Sequence, residues 1–378
     1  MNFVFCDSTQ NYPKQFSPAN TKLDLVTDYM IAEGHNVSII NSCFGYENYE
    51  CKEIVFKKKR CFFYKRKKRL YIRNFFDILM QLKKLHQNED KNILFITWNH
   101  FIFYVAEVIW ARLLGYKVVV IFHEKNSSLI VNHNSLYRKI DSILFDSNFG
   151  YFCNAILPIS NYLKNFAEKF KKPQLIFPII ADFSYTKIQN QGKGYFLYCG
   201  NVCYYRIINY ILAAYQLHRS NTGNYKLHLV LNGPQYYFDK VLNSISENKY
   251  KDDIIVLKGL SKIDLLEEYS RANALLIPLD GNNEQDKARF SQKIAEYLSV
   301  KRPIITNYVG DIPIYFKGRK NAYIYNDFNV NVLASILSHI ENNPIEANII
   351  GENGFNTGKN HFDYKNVSRS LISFISQI

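Results

Sequence analysis

The sequence predicts an α/β protein made of two parallel-sheet domains. Three observations predict it. Short apolar runs alternate with stretches of helical periodicity along most of the chain. That alternation breaks off at a polar, proline-containing stretch and then begins again. Finally, 378 residues with 47% hydrophobic content are more than one typical domain needs, so two cores are expected.

The first half opens on the apolar strand Phe3–Cys6. Residues Thr21 to Gly34 follow with helical spacing, Leu23, Val26, Met30 and Ile31 on one face and Gly34 as the stop. Val37–Ile40 is the next strand. Leu70 to His86 is again helical in period, through Ile72, Phe75, Phe76, Leu79 and Leu82. Strand Ile93–Ile96, helix Ile102–Leu114 with Gly115 behind it, strand Val118–Phe122, strand Ala155–Pro158 and helix Asn161–Phe170 complete this half. Lys172 to Pro178 and the polar stretch Asp182 to Gly194 mark the boundary. We therefore assign residues 1–181 to the first domain, 182–360 to the second, and 361–378 to a terminal helix that packs back on the first.

The second half repeats the alternation. It runs through strand Tyr195–Cys199, helix Arg206–His218, strand Lys226–Leu231, helix Gln235–Ser246 and strand Ile254–Leu257. Ser261 with Asp264 opens the next helix in the manner of a capping box. Strand Ala274–Pro278, a helix from Gln292 and strand Pro303–Thr306 follow. Strand–helix alternation of this kind favours parallel sheets.

Composition excludes several classes. The start of the chain lacks the charged and small-residue signature of a signal peptide. The longest apolar candidate, 101–122, contains Glu107, Arg112 and Lys117, and reads as helix then strand rather than a membrane span. Seven cysteines, an odd number without a C-x-x-C pair, suit a reduced cytoplasmic protein and argue against a disulfide scaffold or a structural zinc site. The net charge of +14 is concentrated in one run: Lys57, Lys58, Lys59 and Arg60, then Lys65, Arg66, Lys67, Lys68 and Arg69, then Arg73. Aromatic residues are interleaved with it. Such a run fits a solvated face, a nucleic acid or an anionic lipid surface. The lipid surface is our reading, with no nucleic-acid partner, and it places the protein at the inner face of the cytoplasmic membrane.

The most informative segment is Arg289-Phe290-Ser291-Gln292-Lys293-Ile294-Ala295-Glu296-Tyr297-Leu298, followed by Lys301-Arg302-Pro303-Ile304-Ile305-Thr306. It reads as a loop, a helix with a lysine in its first turn, an acid one turn on, and a buried strand. Helix-start amides and a cation can hold a diphosphate, and a carboxylate further along can accept hydrogen bonds from ribose hydroxyls.

This segment resembles the donor site of group 1 retaining glycosyltransferases. The resemblance continues in Ala32-Glu33-Gly34-His35-Asn36-Val37, in Ala155-Ile156-Leu157-Pro158-Ile159-Ser160, in Tyr198-Cys199-Gly200, and in the block from Val256-Leu257-Lys258-Gly259 to Ala272-Asn273-Ala274-Leu275-Leu276-Ile277-Pro278. It implies a GT-B fold, two Rossmann-like domains facing a central cleft. It also implies that Glu296 binds the donor ribose, as the second carboxylate of the family's Glu-x7-Glu motif. The first carboxylate is absent, since Ala288 stands there; Glu284 and Asp286 are the nearby acids. The same resemblance puts Gly200, Asn201, Arg206, Ser291, Gln292 and Lys293 around the donor. It gives Arg206 and Lys293 the leaving phosphates and sets His123 beside the reacting sugar. His100 is a weaker candidate on the acceptor side.

The implied activity is transfer of a sugar from a nucleotide-diphosphate donor to a glycan or lipid-linked acceptor in bacterial surface polysaccharide biosynthesis. No cofactor and no essential metal are expected, because cations and amides can do that work. The rivals are a nucleotide-sugar epimerase of the same fold and a donor-binding scaffold that has lost catalysis, to which Ala288 and Asn201 lend support.

Overall fold

A computed structural model describes residues 1–6, 12, 17–41, 52–63, 71–97, 100–128, 135–184, 192–326 and 328–378, the side chains of Pro18, Lys52 and residues 71–74 excepted. The chain divides into two units, Met1–Ile179 with Tyr364–Ile378, and Ile180–Asp363.

The first unit is built on β1 (Asn2–Cys6), β2 (Asn36–Asn41), β3 (Lys52–Phe56), β4 (Lys59–Phe63), β5 (Asn92–Ile96), β6 (Lys117–Phe122) and β7 (Ala155–Pro158). Their order in the sheet is β3-β4-β2-β1-β5-β6-β7. β1 lies parallel between β2 and β5, with Phe3 opposite Val37 on one side and Ile93 on the other. All five of its residues are buried, which is why it reads as a continuous apolar run rather than an alternating one. Helix Pro18–Ala32 starts at Ser17, whose hydroxyl accepts the Asn20 amide. The terminal helix Tyr364–Gln377 belongs to this unit, and Lys91 Nζ donates to its last carbonyls, Ile375 at 2.8 Å and Ser376 at 3.0 Å. Among the described residues no helix is long and apolar enough to cross a membrane.

β3 and β4 form an antiparallel hairpin, an element the sequence reading left out. It corrects part of the basic run. Lys59 sits on the inward side of β4 and is fully buried, its ammonium 2.8 Å from Asp24 and 2.7 Å from Asp28. Lys57 pairs with the same two acids at 3.2 and 3.4 Å, and Arg60 pairs with Glu53 at 2.7 Å. Strand alternation turns Lys59 toward the helix carrying both aspartates, so Lys59 is not available to an outside anion. Lys58 is exposed at the turn. Lys65, Arg66, Lys67, Lys68, Arg69 and the Arg73 side chain lie outside the described residues.

The second unit is built on β8 (Tyr195–Asn201), β9 (Lys226–Asn232), β10 (Ile254–Leu257), β11 (Ala274–Leu276), β12 (Ile304–Asn307) and β13 (Tyr323–Tyr325). They pair in parallel in the order β10-β9-β8-β11-β12-β13. The sheet therefore starts at its centre, moves outward through β9 and β10, and then reverses to the other side through β11. The first sheet does the same once β3 is set aside. This is the doubly wound order, in which the crevice forms at the carboxyl ends of the two strands flanking the reversal. In the second unit those strands are β8 and β11.

Helix Pro344–Phe362 packs through glycines. A Cβ on Gly351 would come 2.5 Å from the Lys301 carbonyl oxygen, and one on Gly354 would come 2.9 Å from that of Asn321. The helix thus lies directly on backbone.

Candidate functional site

β8 ends on Asn201, whose Oδ1 accepts the Cys203 amide at 2.9 Å and starts the short helical turn Val202–Tyr204. Helix Tyr205–Ser220 follows, with Arg206 in its first turn. β11 on the neighbouring side runs out through Pro278 to Asp280. The two carboxyl ends meet through an ion pair between Arg206 and Asp280. Asp280 is buried while the Arg206 side chain is 68% exposed, so the acid is fixed and the cation faces outward.

Asp280 is itself held. Its amide donates to Asp286 Oδ2 at 2.9 Å, and its Oδ1 accepts the Asn282 amide at 3.0 Å. Asp286 is buried and pairs with Arg289 at 2.7 Å. The Arg289 guanidinium lies 4.4 Å from the ring centre of Tyr204 and hydrogen-bonds its hydroxyl. Tyr204 precedes Arg206 by two residues, so these contacts close into a ring at the carboxyl ends of β8 and β11. Sequence reasoning missed Tyr204, Asp280 and Arg289. Asp280 had a signal, its place just beyond the end of β11. Asp286, considered there as a stand-in for the absent carboxylate at position 288, is instead spent on Arg289 and the Asp280 amide. Glu284 is exposed.

Helix Gln292–Ser299 supplies the other wall. Ser291 is its N-cap residue, and its side chain makes no capping bond. Gln292 is bonded in both directions to the backbone of Ile180, donating to its carbonyl and accepting its amide at 3.2 Å. Lys293 is half-buried in the first turn. Phe290 is buried against Tyr315, ring centres 5.4 Å apart, which fixes the entry to the helix. Tyr297 ties the helix to β8, its hydroxyl accepting the Cys199 amide at 3.0 Å.

Glu296 is only 7% exposed, and its Oε1 has no hydrogen-bond partner. Burial pushes its carboxyl above the usual carboxylate range, opposed by Lys293 and Lys262. An unpartnered buried carboxylate oxygen is costly, and a ligand bringing hydroxyl donors would remove that cost. Gly200 leaves room for the Tyr198 ring, since a Cβ there would lie 2.3 Å from the tyrosine oxygen. Thus Gly200, Asn201 and Arg206 lie at the end of β8, and Ser291, Gln292, Lys293 and Glu296 lie on one short helix of the same unit.

His123 is in the first unit, at the end of β6, and is half-buried. Burial, together with the nearby Lys22 ammonium, pushes its imidazole down to about 3. It is therefore neutral at physiological pH. Lys22 is buried, and its ammonium donates to the carbonyls of Phe177 at 2.9 Å and Pro178 at 2.7 Å. Burial lowers its pKa strongly. His100 is taken up by Asp141, at 2.8 Å, and precedes helix Phe101–Leu113, whose first amide donates to the same aspartate at 3.0 Å. Among the described residues no group of three or more His, Cys, Asp or Glu side chains could hold a metal ion.

Two doubly wound units in one chain define the GT-B class of fold, and solved structures agree. Sucrose-phosphate synthase from Thermosynechococcus elongatus is similar over 100% of this chain and 99% of its own, with a TM-score of 0.78 at 12% identity. Anabaena HepE, solved in complex with UDP, matches over 100% of both chains, with a TM-score of 0.70 at 12% identity. A glycosyltransferase from Rickettsia africae matches over 100% of this chain and 98% of its own, with a TM-score of 0.71 at 13% identity. No relative was found among curated proteins. Residues 183–357, nearly all of the second unit, match the family model of glycosyl transferases group 1. The second unit is similar to that family over these residues, and the protein is a nucleotide-sugar glycosyltransferase.

Proposed function

We propose that the protein moves a sugar, with retention, from a nucleoside diphosphate sugar to a glycan or lipid-linked acceptor in the assembly of a bacterial surface polysaccharide such as a capsule or lipopolysaccharide. The observation that carries the donor side is the buried, unpartnered Glu296 Oε1, one turn beyond an N-terminus with no side-chain cap and a lysine. Glu296 takes the ribose hydroxyls. The amides after Ser291, with Gln292 contributing its backbone, take the phosphates together with Lys293 and Arg206. Gly200 and Asn201 form the floor at the end of β8. The UDP bound to the structurally similar HepE supports a uridine nucleotide.

In the reaction the anomeric C–O bond to the phosphate breaks and its electron pair stays on the diphosphate. Arg206, Lys293 and the helix-start amides stabilise that charge, so the chain's own groups supply what a metal supplies elsewhere. The acceptor hydroxyl attacks from the face the diphosphate leaves, and its proton goes to the departing phosphate oxygen. A neutral His123 serves this chemistry as a hydrogen-bonding group on the sugar rather than as a cation. The lipid-linked acceptor rests on the basic run; with Lys57, Lys59 and Arg60 internally paired, Lys58, the segment Lys65 to Arg69 and Arg73 remain as its contacts to an anionic inner-membrane surface.

The test is a thermal-shift series with UDP, GDP, ADP and their sugars on the wild type and Glu296→Ala. Ligand at about a hundredfold above Kd should stabilise by about 2.7 kcal/mol. A shift with one nucleotide family, lost in Glu296→Ala, is the expected result. No shift with any nucleotide would overturn the donor site. Sugar transfer that needs an acceptor and releases the nucleoside diphosphate separates this reading from an epimerase.

A further inference from the structure

Three helices of the first unit, Tyr71–Leu85, Phe101–Leu113 and Leu136–Phe152, pack side by side with the second in the middle. Trp110 Nε1 donates to the Leu79 carbonyl at 2.8 Å on one side, and Tyr104 Oη donates to the Phe149 carbonyl at 2.7 Å on the other. Their outward faces are apolar where a soluble surface would be polar. On the middle helix Ile102 and Leu113 are each 76% exposed, with Ile109 between them. On the last, Leu136 is 75% exposed, and Ile140, Ile143 and Leu144 continue the exposed line, with Tyr137 and Tyr151 toward its two ends. Phe76 and Met80 extend the surface on the first helix. Side chains of this kind scattered singly need no explanation, but a contiguous set on adjoining helices marks an interaction surface.

The charges identify the partner. The acids of the middle and last helices are turned inward. Glu107, Asp141 and Asp146 are buried, with Asp141 bonded to His100 and Asp146 to Asn126 and Ser127. Asp77 on the first helix is half-buried. The cations are turned outward: Lys83 and Lys84, Arg112, and Arg138 with Lys139 are all exposed. Among the described residues no acidic side chain of these helices is exposed. A second copy of this surface would meet like charge with like charge. An anionic lipid layer offers phosphates to the cations and acyl chains to the isoleucines and leucines, and tyrosine at the rim suits the headgroup level.

We infer that this three-helix face docks on an anionic lipid bilayer, with Leu136–Phe152 as its principal contact. The inference goes beyond the transferase reading. It shares only the membrane with that reading and places the contact on different residues from the basic run.

The experiment is flotation of the full-length protein with vesicles of phosphatidylglycerol mixed equally with phosphatidylcholine, and with phosphatidylcholine alone. It compares the wild type with Ile109→Gln/Ile140→Gln/Leu144→Gln, with Arg138→Glu/Lys139→Glu, and with Lys65→Ser/Lys67→Ser/Lys68→Ser. All five helix positions are exposed, so melting temperatures should stay at the wild-type value and report any variant that misfolds. The expected result is wild-type flotation with anionic vesicles only, and binding weakened at least about tenfold in both helix variants. Wild type that stays unbound, or helix variants that float like the wild type, would overturn it. Loss in the basic-run variant alone would move the contact there. A wild type that self-associates in light scattering, with monomeric helix variants, would assign the face to a second copy instead. UDP-induced thermal shifts read the donor site separately and are expected in every variant.

Discussion

The buried carboxylate of Asp280, just beyond β11, holds the guanidinium of Arg206, in the first helical turn after β8. An anion belonging to the chain thus already occupies the arginine to which we assign the donor's phosphates. A diphosphate arriving there must share Arg206 with Asp280 or displace it. Arg206→Ala should weaken UDP binding about tenfold, the scale of one charge-assisted hydrogen-bond set. Asp280→Asn should strengthen it by about fivefold at low ionic strength, because a competing ion pair worth roughly 1 kcal/mol is removed. Titration calorimetry on the two variants checks both. Weaker binding in Asp280→Asn would show that Asp280 orients Arg206 for the ligand rather than competing with it.

Glu296 is the second point of leverage. Its folded pKa is raised by burial above the ordinary carboxylate value of 4.5. A group raised in this way favours the fold most below that value, and its contribution is lost as pH rises through the folded pKa. Glu296→Gln keeps the shape and removes the charge. Without ligand the variant should melt at the same temperature as the wild type near pH 4, and roughly 2–4 °C higher near pH 8, the scale of about 1 kcal/mol in a domain of this size. It should also lose most of the UDP-induced shift, since a neutral amide accepts more weakly from ribose hydroxyls. A wild type that melts higher at every pH would mean that the carboxylate is satisfied in the free protein.

Apart from the hairpin and the three-residue β13, the strands of both sheets were legible because buried parallel strands are continuous apolar runs, such as Lys117–Phe122 and Ala274–Leu276. The hairpin at 52–63 was not. Its turn is Lys57-Lys58, both left-handed at φ 47° and 64°, and it carries none of the Asn-Gly chemistry that announces such a turn. Helix Leu136–Phe152 escaped because Ile140, Ile143 and Leu144 face outward, so apolar residues surround the helix rather than marking one stripe. Helix Pro344–Phe362 escaped because Gly351, Gly354 and Gly358 read as breakers, whereas here the first two let the helix rest on backbone and Gly358 makes room for the Phe183 ring. In the donor site the helix at 292 was legible from its own residues. The ring through Tyr204, Asp280, Asp286 and Arg289 was not, because it joins positions far apart in sequence whose individual types are ordinary.

His123 makes a prediction about pH. Its imidazole titrates near 6.5 in an unfolded chain and near 3 in the folded one. Between those values the unfolded state holds the extra proton, so stability is complete above pH 6.5 and falls as pH drops toward 3. The slope approaches about 1.4 kcal/mol per pH unit for one proton. Urea unfolding of His123→Gln against the wild type should give a constant difference at neutral pH, and the wild type should lose stability relative to the variant as pH drops below about 6, because the glutamine does not titrate. Parallel pH dependence in the two proteins would place the imidazole in contact with water.

Lys59 separates a buried cation from a surface one. Its ammonium is shared between Asp24 and Asp28, and it also bonds the Tyr12 hydroxyl at 3.1 Å. Tyr12 donates in turn to Asp24 at 2.6 Å. Burial alone would raise the Asp24 carboxyl, but Lys59 and Tyr12 outweigh it and hold the group below its usual value. Lys59→Ala would empty a buried site and leave Asp24 and Asp28 with only the more exposed Lys57, which should cost about 3 kcal/mol in urea unfolding. Lys58→Ala, at the exposed turn one residue earlier, should change stability by no more than about 0.5 kcal/mol. Equal small losses in both would mean that Lys59 reaches solvent and belongs with the basic surface after all. The unequal outcome fixes the hairpin's register, since a slip of one residue would turn Lys59 outward and bring Lys58 or Arg60 to the aspartates.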